Sequence, residues 1–197
     1  MLVGYRHQRQ DLLDAAVELA LSDGLSTLTF GGVAEHLGIN DRTVVYYFPS
    51  KRDLVSDVVL ALDVRLRALV GDAVGHEPLP VEALLQQLWP ALASTAADPL
   101  TAVFLELSGL AATGHQPYAS LAPSLVAGWV DRLVGLVVPS LPGSAPTSAR
   151  QEALAALVQL HGLLTLRHLG GARAANSAAR HLGVIAAAPL GRTGQRA

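Results

Sequence analysis

The sequence predicts an all-α fold: an N-terminal three-helix domain containing a helix-turn-helix, then a larger helical domain, about nine helices in all. Three observations predict it. Apolar residues recur at helical spacing along the chain, and no stretch shows the alternating pattern of a strand. Two short helical pieces between Thr29 and Phe48 are hinged at Gly38. The chain is also 51% hydrophobic and only 15% charged, more apolar than a monomer core of 197 residues needs. The surplus points to a subunit interface, an apolar cavity, or both.

Taken in order, residues 6–23 form an amphipathic helix. Asp11, Asp14, Glu18 and Ser22 mark its wet face, and Leu13, Ala16, Val17 and Ala20 its dry one. Gly24 ends it. Phe30, Val33, Ala34 and Leu37 then carry the first short helix, closed by Gly38, which tolerates a left-handed backbone. Ile39 packs inward, and Asn40 caps a second short helix, Asp41 to Phe48, that stops at Pro49. A long connecting helix follows from Lys51 to about Val74, and Gly75, Pro78 and Pro80 punctuate a loop. Further helices are expected at 81–97, 99–113, 117–138, 148–169 and 173–188. The segment Pro139 to Pro146 separates two of them, and residues 189–197 read as a disordered tail.

The stretch TFGGVAEHLGINDRTVVYYFPSKRD, Thr29 to Asp53, carries the clearest functional pattern. Its order of residue types, from Gly38 through Tyr47, Phe48, Ser50 and Lys51, resembles the DNA-binding domain of TetR-family transcriptional regulators. Gly24, Thr29, Val33 and Ala34 also stand where that family places a glycine, a threonine and an apolar-alanine pair. The resemblance implies a helix-turn-helix domain over residues 1–50, a helical ligand-binding and dimerisation domain over 51–188, and the nine-helix layout. It also implies that Thr29, Tyr47 and Lys51 position phosphates, while Asp41, Arg42, Thr43 and Tyr46 face base edges beside the capping Asn40.

Three residues depart from the family pattern. Arg42 replaces a glycine, Val45 replaces the first tyrosine, and Arg52 replaces an acid. Losing a hydroxyl at Val45 removes a contact to phosphate or base. Arg42 either adds a bidentate contact to guanine, worth about 1–3 kcal/mol of discrimination, or pairs with Asp41 or a phosphate. Asp41, as an acceptor, could select cytosine.

Charge argues for placement rather than bulk attraction. The net charge is −2, and the first 52 residues hold five Lys/Arg (Arg6, Arg9, Arg42, Lys51, Arg52) against six Asp/Glu. Those bases flank the second short helix, and attraction to phosphate decays over about 8 Å. A modest salt dependence of DNA binding is expected. Cysteine is absent, which excludes disulfides, thiolate zinc and thiol nucleophiles. No membrane span or secretion signal is legible, so the cytoplasm is the expected compartment. There is no Walker loop, G-x-S-x-G elbow, H-E-x-x-H or paired-carboxylate face, so no enzyme, metal or cofactor is expected.

Within residues 68–131 there is no Lys or Arg. Glu106 stands there among Ala102, Val103, Gly109 and Leu110, a costly place for a carboxylate without a donor. It either faces an effector cavity, reaches solvent, or pairs with an arginine such as Arg132. Trp89, Phe104, Tyr118 and Trp129 fall on helices that enclose the pocket in family members; plain core is the alternative. His161 is a further candidate, with a structural role as its alternative. His168 lies about 10 Å away along the helix, too far to share a metal ion. His115 either caps a helix end or lines a pocket.

Ala153 to Leu166 is apolar nearly all round, and the helix at 173–188 is alanine-rich. The resemblance makes these two helices a twofold dimer interface, placing two recognition helices about 34–36 Å apart. The expected function is a DNA-binding transcriptional regulator, a repressor released from an inverted-repeat operator by a small lipophilic effector. The alternative is a helical homodimer that binds ligand or protein but no DNA.

Overall fold

The computed structural model describes residues 8–138 and 146–186. Every element there is helical: α1 (Arg9–Asp23), α2 (Phe30–Leu37), α3 (Asp41–Tyr47), α4 (Lys51–Val74), α5 (Val81–Leu92), α6 (Asp98–Ala112), α7 (Tyr118–Leu136) and α8 (Pro146–His181). The backbone of α8 leaves helical geometry at Gly171 (φ 84°, ψ 162°), which divides it into two arms. The all-α expectation of about nine helices is therefore met by eight helices, the last one broken. The expected tail at 189–197, Arg6 and residues 139–145 lie outside the described residues.

Local chemistry sets the helix ends. Gly38 adopts the left-handed conformation (φ 65°, ψ 34°), and Ile39 donates back to the Ala34 carbonyl at 2.9 Å. A side chain at that φ would be strained, so glycine makes the tight turn between α2 and α3 possible. Thr29 Oγ1 accepts from Gly32 N at 3.0 Å, and Asn40 Oδ1 accepts from Arg42 N at 2.9 Å. Ser50 and Asp53 close a reciprocal box at the start of α4: Asp53 N donates to Ser50 Oγ, and Ser50 N donates to Asp53 Oδ2. Several boundaries fall inside the expected ones. In particular, α5 ends at Leu92, not 97, because the chain turns through Ala93–Ala97 before α6.

Two apolar cores share α4. Its first half, Leu54 to Leu62, packs with α1, α2, Val44 and Phe48, and also with Val103, Leu107 and Tyr118 of the body. Its second half, from Val70, packs with α5, α7 and α8 around Trp89 and Leu133. Packing thus crosses the sequence boundary at residue 50. Each buried Leu or Val contributes about 1.5–3 kcal/mol of transfer free energy, so helices α1 to α3 are anchored to the rest of the chain by a shared core. Ion pairs Arg9–Asp57 and Arg65–Glu18 add exposed ties between α1 and α4.

Candidate nucleic-acid interface and effector cavity

Helix α3 is docked by one face and free on the other. Val44 and Phe48 are fully buried in the first core. Asp41, Arg42, Val45 and Tyr46 are exposed, and Arg42 and Tyr46, four residues apart, share one outward face. Tyr46 is 79% exposed, its ring packed edge-on to Tyr47 at 5.0 Å. Among the described residues the Arg42 guanidinium forms no ion pair, so pairing with Asp41 is not what the structure holds. Thr43 and Tyr47 are half-buried. Thr29 and Asn40 use their oxygens as caps, and both remain exposed near the ends of α2 and α3. Lys51 is exposed at the start of α4. The arrangement presents a guanidinium, a phenol and a carboxylate on a short protruding helix flanked by hydroxyl and ammonium groups. That is the chemistry that reads base edges between phosphate anchors.

The body holds a cavity of about 930 Å³ that opens to the surface. Helices α4 to α8 all contribute to its wall, and no Asp, Glu, Lys or Arg lines it. Of its polar side chains, Ser108 donates to the Phe104 carbonyl at 2.8 Å and Thr101 contacts His168 Nε2 at 2.9 Å. The His161 ring also lines it and has no hydrogen-bond partner among the described residues. A wall so apolar, with one open polar group, suits a lipophilic ligand.

Three of the expected effector residues reach this cavity: Phe104, Trp129 and His161. The other three do not. Trp89 is core, 2% exposed, with its Nε1 donating to Asn176 Oδ1 at 3.0 Å. Tyr118 is buried in the first core and donates its hydroxyl to the Leu25 carbonyl at 3.1 Å. Burial, and secondarily the Glu106 charge, push its phenol above the usual range.

Glu106 corrects the sequence expectation most clearly. Its Oε2 accepts from Leu25 N at 2.7 Å and its Oε1 from Ser26 N at 2.9 Å. It neither lines the cavity nor pairs with Arg132: the donors are two backbone amides of the α1–α2 loop. Gly24 precedes them at φ 92°, and a Cβ there would lie 2.9 Å from Glu106 Oε2, so only glycine lets the carboxylate approach.

Sequence reasoning missed Asp63. It is 7% exposed, accepts from Trp129 Nε1 at 2.8 Å and pairs with Arg67 at 2.6 Å, while the Arg67 guanidinium stacks over the Trp129 ring at 4.9 Å. The i,i+4 spacing of Asp63 and Arg67 was the available signal. No three His, Asp or Glu residues among those described could hold a metal ion, and none of the helices is long and apolar enough to cross a membrane.

A docked helix-turn-helix joined to a cavity-bearing helical body is an arrangement also found among solved proteins. Residues 12–58 match the family model described as bacterial regulatory proteins, tetR family. A solved transcriptional regulator from Rhodococcus sp. Rha1 is 17% identical, covering 90% of this chain and 93% of its own, with a TM-score of 0.69. A TetR transcriptional regulator from Legionella pneumophila is 19% identical, covering 92% and 97%, with a TM-score of 0.67. A Saccharomonospora viridis protein assigned as a transcriptional regulator, solved with choline, is 18% identical, covering 88% and 92%, at TM-score 0.66. Among curated proteins none matches the chain. The N-terminal segment is a tetR-family helix-turn-helix domain, carried on a body with the TetR-type fold.

Proposed function

We propose that this protein is a sequence-specific DNA-binding transcriptional regulator, a repressor released by a small lipophilic effector. The observation that carries the reading is the outward face of α3: Arg42 and Tyr46 stand exposed while Val44 and Phe48 fix the helix to the core. Residues 1–50 form the reading head, with Thr29, Tyr47 and Lys51 on phosphates and Asp41, Arg42, Thr43 and Tyr46 at base edges. Residues 51–188 bind effector and the second subunit.

The dimer reading is supported by apolar side chains on α8 that stay exposed among the described residues. Leu169 is 85% exposed, with Leu154 and Leu166 also exposed. A second copy seated there would hide them and set two α3 helices one DNA turn apart. The effector reading is supported by the uncharged cavity wall. The Saccharomonospora viridis protein holds choline; here no carboxylate lines the cavity to meet a cation, so a neutral or weakly polar ligand oriented by His161 fits better. Ligand and operator then weaken each other reciprocally.

Selection of binding sites from randomised duplex DNA with the purified protein tests the reading. An enriched inverted repeat supports it. Weak, salt-sensitive retention with no enriched sequence overturns it and favours a helical homodimer that binds ligand or protein without DNA.

A further inference from the structure

A second cleft lies at the joint between the reading head and the body, and no residue lines both it and the apolar cavity. Its volume is about 320 Å³, roughly ten times the 30 Å³ share of a liquid water. Lys51 and Arg52 enter from the first turn of α4, His115 and Gln116 from the α6–α7 turn, and Ser26 and Tyr118 complete the wall. Every charged side chain lining it is basic. Neither Lys51 nor Arg52 has an ion pair among the described residues; Arg52 makes only a long 3.4 Å contact to Gln116 Oε1. The neighbouring carboxylates are already engaged. Glu106 takes the Leu25 and Ser26 amides, and Asp53 takes Ser50.

We propose that this cleft binds a small oxyanion, the carboxylate or phosphate group of a metabolite, separately from the lipophilic effector. A guanidinium offers paired donors matched to a planar or tetrahedral oxyanion, and a nearby ammonium adds charge. His115 contacts Thr113 Oγ1 through Nδ1 at 2.8 Å, and in the tautomer that accepts there its Nε2–H is free to donate to the ligand. An anion there touches α4, the α6–α7 turn and the α1–α2 loop held by Glu106. It therefore stiffens the joint on which the attitude of α3 depends. Backbone phosphate of DNA is the other source of the same chemistry, since Lys51 is also a candidate phosphate contact.

The test uses the full chain, first without DNA and then with a short random-sequence duplex. Its thermal unfolding midpoint is followed as inorganic phosphate or succinate replaces chloride at fixed ionic strength. A saturable rise of several degrees is expected, cut by at least half in both Arg52→Gln and His115→Gln and largely retained in Arg52→Lys. No saturable rise in the wild type overturns the proposal. So does an equal rise in Arg52→Gln and His115→Gln, the signature of an adventitious ion only. A third overturning result is no response to free anions while Arg52→Gln weakens retention of a short random-sequence duplex, which assigns the cleft to the DNA backbone. Each outcome is read independently of site selection, so failure here and failure of the DNA-binding reading are distinguishable.

Discussion

Glu106 Oε2 accepts a 2.7 Å hydrogen bond from the amide of Leu25, a residue 81 positions earlier in the chain. With the Ser26 amide and the Tyr118 hydroxyl, it fastens the α1–α2 loop to α6 and α7. The same turns of α6 carry Phe104, Leu105, Leu107 and Ser108 on the cavity wall. One helix, α6, therefore both lines the cavity and holds the α1–α2 loop.

Replacing Glu106 with Gln puts an amide NH₂ against a backbone donor. The stranded amide is expected to cost about 1–3 kcal/mol of folding stability. Urea unfolding reads this as a lowered midpoint at unchanged slope; an unchanged midpoint contradicts the latch.

Trp129 spans the cavity wall and the buried Asp63. Trp129→Phe keeps the ring face but removes the donor, leaving Asp63 with Arg67 alone. A loss of about 1–3 kcal/mol is expected, and Asp63→Asn in the Trp129→Phe background should then cost less than in the wild type. Additive losses in this double-mutant cycle would show the two residues to be uncoupled.

The cavity should take up an apolar dye such as Nile red with a blue-shifted emission. Ala122 lines the wall without filling it, so Ala122→Trp is expected to reduce dye uptake several-fold while the fold persists by circular dichroism. Undiminished uptake would place the dye elsewhere, the exposed α8 face being the first alternative.

Asp98 and Arg167 form a bidentate pair, at 2.7 and 2.9 Å, between the start of α6 and α8. The Arg167 hydrogen bonds hold the Asp98 carboxyl below its ordinary 3.8, against the opposing effect of burial. A lowered folded value means this stabilisation is present above the unfolded value of 3.8 and fades as pH falls through the lower, folded one. Arg167→Gln should therefore destabilise more at pH 6 than at pH 3 in denaturant titrations. An equal penalty at both values would assign the loss to packing alone.

Local devices were legible in the sequence because their partners are a few residues away. Gly38, the cap Asn40 and the apolar spacing of α2 each announce themselves within one or two turns, whereas the capping roles of Thr29 and Ser50 emerge only in the structure. The broken α8 was expected as two helices, 148–169 and 173–188, and the backbone leaves helical geometry between them at Gly171. Glu106 was misread because its apolar neighbours say only that it needs a donor. The donors are backbone amides about 80 residues upstream, and backbone amides leave no mark in sequence. Trp89, Tyr118 and Trp129 look alike as aromatic residues in apolar helices; which one meets a core, a carbonyl or a cavity depends on how α4 to α8 cross.

The most direct measurement is the equilibrium affinity of wild type and Arg42→Ala for the enriched duplex and for a version with the contacted base pair changed, at two salt concentrations. Arg42→Ala is expected to lose about 1–3 kcal/mol on the enriched duplex, little on the altered one, and to keep the same salt slope. An equal loss on both duplexes, with a shallower slope, would make Arg42 a phosphate contact and contradict base reading by this face of α3.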